Sequence, residues 1–222
     1  MLVREGFVKM RSVTVERPYA GQLAHERKEA RRAALIEAGL ELLGTQGVNA
    51  TTVRAVFHKA GLSQRYFYES FANIDELLVG VFDHVMESTM ARMIAELPQA
   101  GGDIRTLIAA LANAFAATLG DERATRVALI EAWGSEALMR RRVATLHAGA
   151  ISLADAVKNR ADHAPNDGSV ELAAFAIVGG LLESMLAWVD GALNMSRDTL
   201  FEQFTDISVA TMEQALRGGT TV

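Results

Sequence analysis

The chain has 222 residues, no cysteine and a formal net charge of −5 at pH 7. Its length suits one large domain or two small ones, and an apolar share of 50% with 22% charged residues is typical of a globular protein. The lack of cysteine excludes disulfides and thiolate chemistry, and it favours a reducing cytoplasm as the location.

The charges are distributed unevenly along the chain. Residues 1–65 hold eleven Lys/Arg against six Asp/Glu, whereas residues 66–222 hold eleven against twenty-one. A basic N-terminal part joined to an acidic remainder is typical of a two-part DNA-binding protein. A chance asymmetry of solvated faces explains the charge pattern equally well when charge is considered alone.

The first 24 residues show no sustained periodicity and no targeting segment, so we expect a flexible N-terminal arm over residues 1–24. A helix is predicted from about His25 to Thr45, basic at its start and apolar later. Gly44 and Gly47 are expected to end it.

The segment from Thr51 to Phe71, TTVRAVFHKAGLSQRYFYESF, predicts a short helix, a tight turn and a second helix. Thr51 or Thr52 can cap the first helix, and Gly61 suits the left-handed residue at its end. Ser63 can cap the second helix, whose Phe67 and Phe71 lie four residues apart and are expected to point inward.

The other faces of this second helix carry hydrogen-bonding side chains. They are Gln64, Arg65, Tyr66, Tyr68 and Glu69. A buried helix would not carry such a face, and a solvated one rarely holds two tyrosines. A helix-turn-helix that enters the major groove of DNA needs this kind of face. Arginine can donate two hydrogen bonds to guanine and glutamine can read adenine.

The rest of the chain predicts helix after helix. Asn73 and Glu76 form a start pattern for a fourth helix that reaches about Leu97. Further helices are expected at about 103–119, 121–133, 135–162, 168–191 and 197–217. The predicted fold is therefore all-α, with an N-terminal three-helix helix-turn-helix DNA-binding domain over residues 25–80 and a C-terminal helical ligand-binding and dimerisation domain over residues 81–222.

The longest apolar run, Leu172–Val189, is nearly long enough to span a bilayer. It contains Glu183, and a carboxylate near mid-bilayer costs roughly 2.5–3.5 kcal/mol. We interpret the run as a buried helix of a protein with no membrane partner.

Catalytic and metal chemistry find little support in the sequence. The five histidines are scattered, and the chain has no HExxH pair, GxSxG elbow or phosphate-binding glycine loop. We therefore expect no enzyme activity, catalytic residue, metal or cofactor. The run Arg140–Arg142 is interpreted as a solvated face or as a set of partners for Glu136 and Asp155.

Two groups of apolar residues are candidate contact sites. The candidates for a ligand pocket, each of which is also a plausible core residue, are Met86, Met90, Met93, Phe115, Trp133, Met139, His147 and Phe175. The candidates for a dimer interface form stripes on the last two helices, and the alternative is burial within a monomer. They are Phe175, Val178, Leu182, Met185, Val189, Leu200, Phe204 and Ile207.

Taken in order, these segments resemble the tetracycline-repressor (TetR) family of transcriptional regulators. The local match covers roughly Arg31–Leu78 through LIEAGLELLGTQG, TTVRAVFHKAGLS, YFYESF and NIDEL, and the C-terminal match is mostly architectural. The resemblance implies that Ser63–Phe71 is the recognition helix. It also implies DNA contacts by Thr52, Arg54, Ser63, Gln64, Arg65, Tyr66 and Tyr68.

Three residues depart from the family pattern. Ile74 replaces a common phosphate-binding lysine, Glu69 replaces a common histidine, and Phe57 replaces a small residue inside the motif. They affect the expected affinity and docking and leave the class unchanged.

The expected function is that of a cytoplasmic homodimer that binds a near-palindromic double-stranded DNA operator, most simply as a repressor, and leaves it when a small, largely apolar effector binds. The alternatives are a transcriptional activator, or an all-α small-molecule-binding protein or enzyme with an incidental helix-turn-helix.

Overall fold

A computed structural model of the chain describes residues 20–97, 102–161 and 168–217, with side chains from residue 25 onward. Within these ranges the regular structure is helical, which confirms the predicted all-α fold. The helices are α1 Ala20–Gln46, α2 Val53–Lys59, α3 Gln64–Ser70, α4 Ile74–Glu96, α5 Ile104–Thr118, α6 Glu122–Leu129, α7 Glu136–Lys158, α8 Ser169–Val189 and α9 Arg197–Arg217. Two short 3-10 helices lie at Val48–Ala50 and Glu131–Gly134.

Helix α1 differs from its prediction at both ends. It begins at Ala20, so residues 20–24 of the expected flexible arm are helical, and residues 1–19 of that arm lie outside the described residues. Gly44 does not end the helix. A Cβ atom at this position would lie 2.5 Å from Cβ of Arg123, so the glycine permits α6 to approach α1 closely. The chain turns at Gly47 instead, where φ is 82°.

Helices α1–α3 and the start of α4 form the head of the molecule. Its core is built from fully buried side chains of these helices, among them Leu35, Leu43, Phe67, Phe71 and Leu77. Short helices such as α2 and α3 are marginal in isolation, so their stability comes from this packing.

The body consists of the rest of α4 and α5–α9. Helix α8 packs between α7 and α9, and α9 also packs along α5. A second apolar cluster closes this end of the molecule around Ile108, Val157, Ala174 and Met212. The two clusters together make one continuous helical unit, with α4 shared by head and body.

The helix predicted over 121–133 is divided in two. Helix α6 ends at Leu129, and the chain continues as the 3-10 helix Glu131–Gly134. The buried Glu131 carboxylate accepts hydrogen bonds from the Val48 N–H at 2.9 Å and from Nε of Arg126 at 2.6 Å. This contact joins the body to the segment just before α2.

Helix α8 has the length and composition of a membrane span, with a mean hydropathy of 1.9 over its most apolar stretch. It lies between other helices of the body, and a core helix of a globular protein has the same composition. Only 28% of that stretch is buried, however, so the interpretation of α8 as a buried helix holds for one side of it. The exposed side is considered below.

Candidate DNA-binding helix and ligand cavity

The turn between α2 and α3 has the geometry that the sequence predicts. Thr52 caps α2 by accepting a hydrogen bond from the Ala55 N–H at 3.2 Å. Gly61 has a φ of 66°, which favours glycine, and Leu62 packs against the head core. Ser63 precedes α3 at the N-cap position, although its side chain forms no capping hydrogen bond.

Phe67 of α3 and Phe71 directly after it fix the orientation of the helix. Phe67 and Phe71 are buried in the head, and their ring centroids lie 5.9 Å apart. The opposite face remains open to solvent: Gln64, Arg65 and Tyr68 are exposed, and the Arg65 side chain retains 83% of its accessible surface. Helix α3 therefore presents a fixed polar face to solvent.

Glu69 pairs with two arginines. Its carboxylate accepts a hydrogen bond from Nε of Arg65 at 2.8 Å and lies 3.7 Å from Nη2 of Arg31 on α1. The Arg31 guanidinium also stacks over the Tyr66 ring at 4.3 Å. The negative charge of Glu69 is thus matched by two positive charges, and it orients Arg65.

The remaining head residues singled out from the sequence occupy two environments. Thr52, Arg54 and Ser63 are exposed near α3, on the α2 side of the motif. Phe57 and Ile74 are partly buried against the head core, where they contribute apolar contact. Because Ile74 carries no charge, α4 lacks the lysine that would extend the basic surface at its start.

Helix α4 joins this head to a cavity in the body. At its N-terminal end Asn73 accepts a hydrogen bond from the Glu76 N–H, and Glu76 in turn accepts one from the Ala72 N–H at 2.5 Å. Gly80 lies against the ring of Phe71, where a Cβ atom would come within 3.3 Å of it. The C-terminal half of the same helix forms one wall of the cavity.

The cavity has a volume of about 390 Å³ and lies among α4, α5, α7 and α8. Its apolar lining includes Phe82, Met86, Met90, Met93, Leu107, Leu111, Phe115, Leu146, Leu153, Val178 and Leu182. Polar groups come from Thr89, Arg142, Thr145 and Ser152. A mostly apolar cavity of a few hundred Å³ with a few polar groups is typical of a small-molecule site.

Four of the eight residues that the sequence grouped as a pocket line this cavity together: Met86, Met90, Met93 and Phe115. The other four lie outside its lining. Trp133 is 67% exposed on the surface, and Met139 is partly buried elsewhere on α7. His147 and Phe175 form an edge-on ring pair at 5.4 Å, and both are exposed. Helical spacing alone could not tell which side of α7 and α8 faces inward.

Arg142 is one of the cavity residues that the sequence interpretation placed incorrectly. Of the three adjacent arginines, Arg140 pairs with Glu136 as expected and Arg141 pairs with Asp83 of α4. Arg142 is 6% exposed, donates from Nη1 to the Leu129 carbonyl at 3.1 Å and lies under the Trp133 ring. Burial lowers the pKa of Arg142 against the opposing effect of the Glu183 charge. Its spacing to Thr145, Leu146 and Gly149 on one face of α7 is the pattern that could have revealed it.

The residues predicted to form a dimer interface separate into three groups. Met185 and Leu200 are buried in the chain's own core at 1% and 5% exposure, and Val178 and Leu182 line the cavity. The structure thus turns these four inward. Phe175, Val189 and Ile207 are exposed, and Phe204 is partly buried beside Gly180. The outward face of α8 is consequently Leu172, Phe175, Ala176, Gly179 and Glu183.

A helix-turn-helix with an exposed polar face, joined by one long helix to an all-α body with a cavity, is an arrangement expected of a DNA-binding protein of the helix-turn-helix class. Residues 35–81 match the family model of bacterial regulatory proteins of the tetR family. The matched segment covers the helix-turn-helix, in agreement with the resemblance found in the sequence.

Whole-chain comparisons agree on the fold. A fatty acid metabolism regulator protein of Bacillus subtilis is 20% identical over 167 residues, covering 74% of this chain and 86% of that protein. The fatty acid degradation regulator FadR from Bacillus halodurans superposes with a TM-score of 0.63 at 17% identity, covering 84% of this chain and 94% of that one. The regulator FadR from Bacillus subtilis in complex with stearoyl-CoA gives 0.61 at 17% identity, with 84% and 98% covered.

Proposed function

We propose that the protein is a homodimeric transcriptional repressor that binds a near-palindromic operator and is released by a small, largely apolar effector. The observation that carries the proposal is the double role of α4. Its first half packs against Phe71 beneath α3, and its second half lines the cavity through Met86, Met90 and Met93. A molecule that changes the tilt of α4 would move the recognition helix.

Base reading is assigned to α3 in this proposal. Gln64 and Arg65 are exposed at its N-terminal end and carry side chains that pair with adenine and guanine. Tyr66, Tyr68, Thr52, Arg54 and Ser63 are assigned to nearby bases and phosphates. The DNA-binding domain is proposed over residues 25–80 and the ligand-binding and dimerisation domain over 81–222, with α4 crossing the boundary.

The effector is proposed to fill the cavity of the body. An apolar lining with few polar groups favours a largely apolar molecule. The names of the Bacillus relatives point to fatty acids or their thioesters as the class to test first. To release DNA the effector must prefer the tilted form of α4, and a preference of roughly 5.5 kcal/mol would take that form from 1% to 99% of the population.

Dimerisation is proposed through the outer faces of α8 and α9. Leu172 and Ile207 are 73% and 67% exposed, and a Cβ atom at Gly179 would meet no atom within 4 Å. Exposed apolar residues around a glycine with open space above it suit the close approach of another helix. A second copy of the same pair of helices would complete a four-helix interface. To enter successive major grooves, the two α3 helices of this dimer must lie about 34–36 Å apart.

The test is selection of genomic fragments by the purified protein, followed by measurement of its affinity for the selected operator. Arg65→Ala with Tyr66→Ala should reduce operator affinity by at least tenfold and leave the helical content unchanged. The matched control is Arg140→Ala, an exposed arginine of the body, which should bind as the unaltered chain does. Unchanged operator binding by the folded double variant would contradict the assignment of α3.

There are two rival functions. The first is transcriptional activation, and the second is that of an enzyme or carrier with an incidental helix-turn-helix. A transcription assay with the selected operator separates the first, because a repressor lowers transcription when no effector is present. A rival enzyme or carrier predicts tight ligand capture or turnover and no retained sequence-specific DNA. The TetR match over residues 35–81 supports DNA binding and a location in the cytoplasm.

A further inference from the structure

Arg142 is a buried cation without an acidic partner among the described residues. Its side chain donates one hydrogen bond, from Nη1 to the Leu129 carbonyl, and stacks at 5.3 Å from the Trp133 ring centroid. Guanidinium has five N–H donors. Buried charges in proteins are normally paired, because an isolated charge in an apolar environment is costly. The burial of Arg142 therefore needs an explanation beyond packing.

The two arginines that precede Arg142 on α7 both form ion pairs with carboxylates. Arg140 forms an ion pair with Glu136 at 2.8 Å, and Arg141 forms one with Asp83 at 2.5 Å. Arg142, which lines the cavity, has no such ion pair among the described residues. Glu183 on α8 acts on Arg142 only through its field, since the two side chains form no ion pair within 4.0 Å.

The shape of the cavity suits a long molecule with one charged group. The α7 wall runs from Arg142 through Thr145, Gly149 and Leu153 to Ala156, which corresponds to roughly 21 Å along the helix axis. Beyond Arg142 this wall and its counterparts on α4, α5 and α8 are almost wholly apolar, and the few hydroxyls that line them carry no charge. The positive charge is thus confined to one end of the α7 wall.

We propose that the effector is an elongated apolar molecule with a terminal anionic group, in its simplest form a monocarboxylate, and that Arg142 binds this group inside the body. A guanidinium pairs with a carboxylate through two parallel hydrogen bonds. The proposal rests on the proposed function in that it takes this cavity to be the effector site. It adds the charge of the ligand and the residue that selects it.

The position of Arg142 also connects the anion to the head. Its partner Leu129 ends α6, and Glu131 two residues later accepts the hydrogen bond from the Val48 N–H before α2. An anion that draws the guanidinium toward the cavity competes with the Leu129 carbonyl. The segment from Leu129 to Glu131, which contacts the head through the Val48 N–H, is then the first part of the body to shift.

The test compares four probes of equal chain length by isothermal titration calorimetry with the full chain: decanoate, decanol, decylamine and the coenzyme A thioester of decanoate. Decanoate should bind at least tenfold more tightly than decanol, and decylamine should bind more weakly than either. Decanoate should also change the fluorescence of Trp133, and Trp133→Phe should remove that change.

The matched variants are Arg142→Met, which removes the buried charge, and Arg140→Met, which removes an exposed charge from the same helix. Arg142→Met should bind decanoate and decanol equally, while Arg140→Met keeps the preference for the acid. Because the buried charge lacks an acidic partner, Arg142→Met should melt at the same or a higher temperature. If Arg142→Met does not fold, Arg142→Lys replaces it and should show a reduced preference for decanoate over decanol. The comparison of decanoate with decanol on the unaltered chain needs no variant.

Three results would overturn the proposal: equal affinity for decanoate and decanol, an acid preference that persists in folded Arg142→Met, or tight thioester binding that Arg142→Met leaves unchanged. Thioester binding that is lost in Arg142→Met supports the same anion site with a phosphate as the source of charge. Operator binding is measured on the same protein preparation before any probe is added. Its absence would contradict the proposed function, whereas intact operator binding with no acid preference contradicts only the role of Arg142.

Discussion

Helices α3 and α8 show how differently two helices of one chain use their faces. Helix α3 buries Phe67, together with Phe71 directly after it, and leaves a polar face in solvent, so its orientation can be read from its sequence. Helix α8 is apolar on nearly all sides, and burial divides it into an inner face, a cavity face and an exposed face. A helix with one apolar stripe has one way to pack, whereas a helix that is apolar all round depends on its neighbours.

The largest effect that would test this contrast is expected within α3 itself. Phe67→Ala should lower the free energy of unfolding by about 3–5 kcal/mol, because it leaves a cavity in the head core. Tyr68→Ala, one residue further along and exposed, is the control and should change it by less than about 0.5 kcal/mol. Urea denaturation followed by circular dichroism measures both. Equal losses from the two variants would contradict the orientation of α3.

The contact between head and body should give the next largest effect. Glu131→Ala removes the acceptor of the Val48 N–H and the partner of Arg126, and it should cost about 1–3 kcal/mol of unfolding free energy. Glu131→Gln keeps an acceptor for the N–H and should lose less. Denaturation curves together with hydrogen exchange at Val48 report the change. Unaltered exchange in Glu131→Ala would show that the contact does not hold the head.

A smaller effect, confined to association, is expected on the exposed side of the body. Ile207→Asp should weaken the proposed dimer by at least tenfold, about 1.4 kcal/mol, and leave helical content unchanged. Ile94→Asp is a matched control, since Ile94 on α4 is 62% exposed and is not part of the proposed interface. Sedimentation analysis over a range of protein concentrations measures both. Dissociation in Ile94→Asp but not in Ile207→Asp would place the interface elsewhere.

The smallest effect is expected at the start of α6, where Asp121 caps the helix. Burial alone would raise the pKa of Asp121, but hydrogen bonds from the Ala124 and Arg123 N–H groups and from the Arg123 guanidinium lower it overall. A lowered folded-state pKa means that the ionised carboxylate stabilises the fold fully above its unfolded pKa of about 3.9, and that this stability is lost as pH falls toward the folded value.

Asp121→Asn keeps a capping acceptor without the charge. The unaltered chain should therefore lose its advantage over Asp121→Asn as pH falls below about 4. Melting temperatures of the two proteins from pH 3 to pH 6 measure the difference. A gap that widens on acidification would contradict the direction of the pKa shift.

Much of the fold was predictable because its helices are separated by residues with strong local preferences. Gly61 and Asn73 mark helix ends through φ and capping, and these preferences act within a few residues. The predicted ends of α5, α8 and α9 agree with the structure to within two residues. The prediction was wrong where a distant partner is in contact. Arg123 packs closely on Gly44, which continues α1, and Glu131, which follows the end of α6, binds the Val48 N–H.

The candidate sites also divide into features set by local sequence and features set by distant contacts. The sequence alone determined the helix-turn-helix and the inward direction of Phe67 and Phe71, since one helical period places them. Of its eight candidates for a pocket, Met86, Met90, Met93 and Phe115 line the cavity. Only the tertiary structure decided that Arg142 is buried, that Trp133 and His147 lie outside the cavity, and that Met185 and Leu200 face the chain's own core. The physical reason is that burial of a side chain depends on which helices pack against its own, and α7 and α8 offer apolar residues in more than one direction.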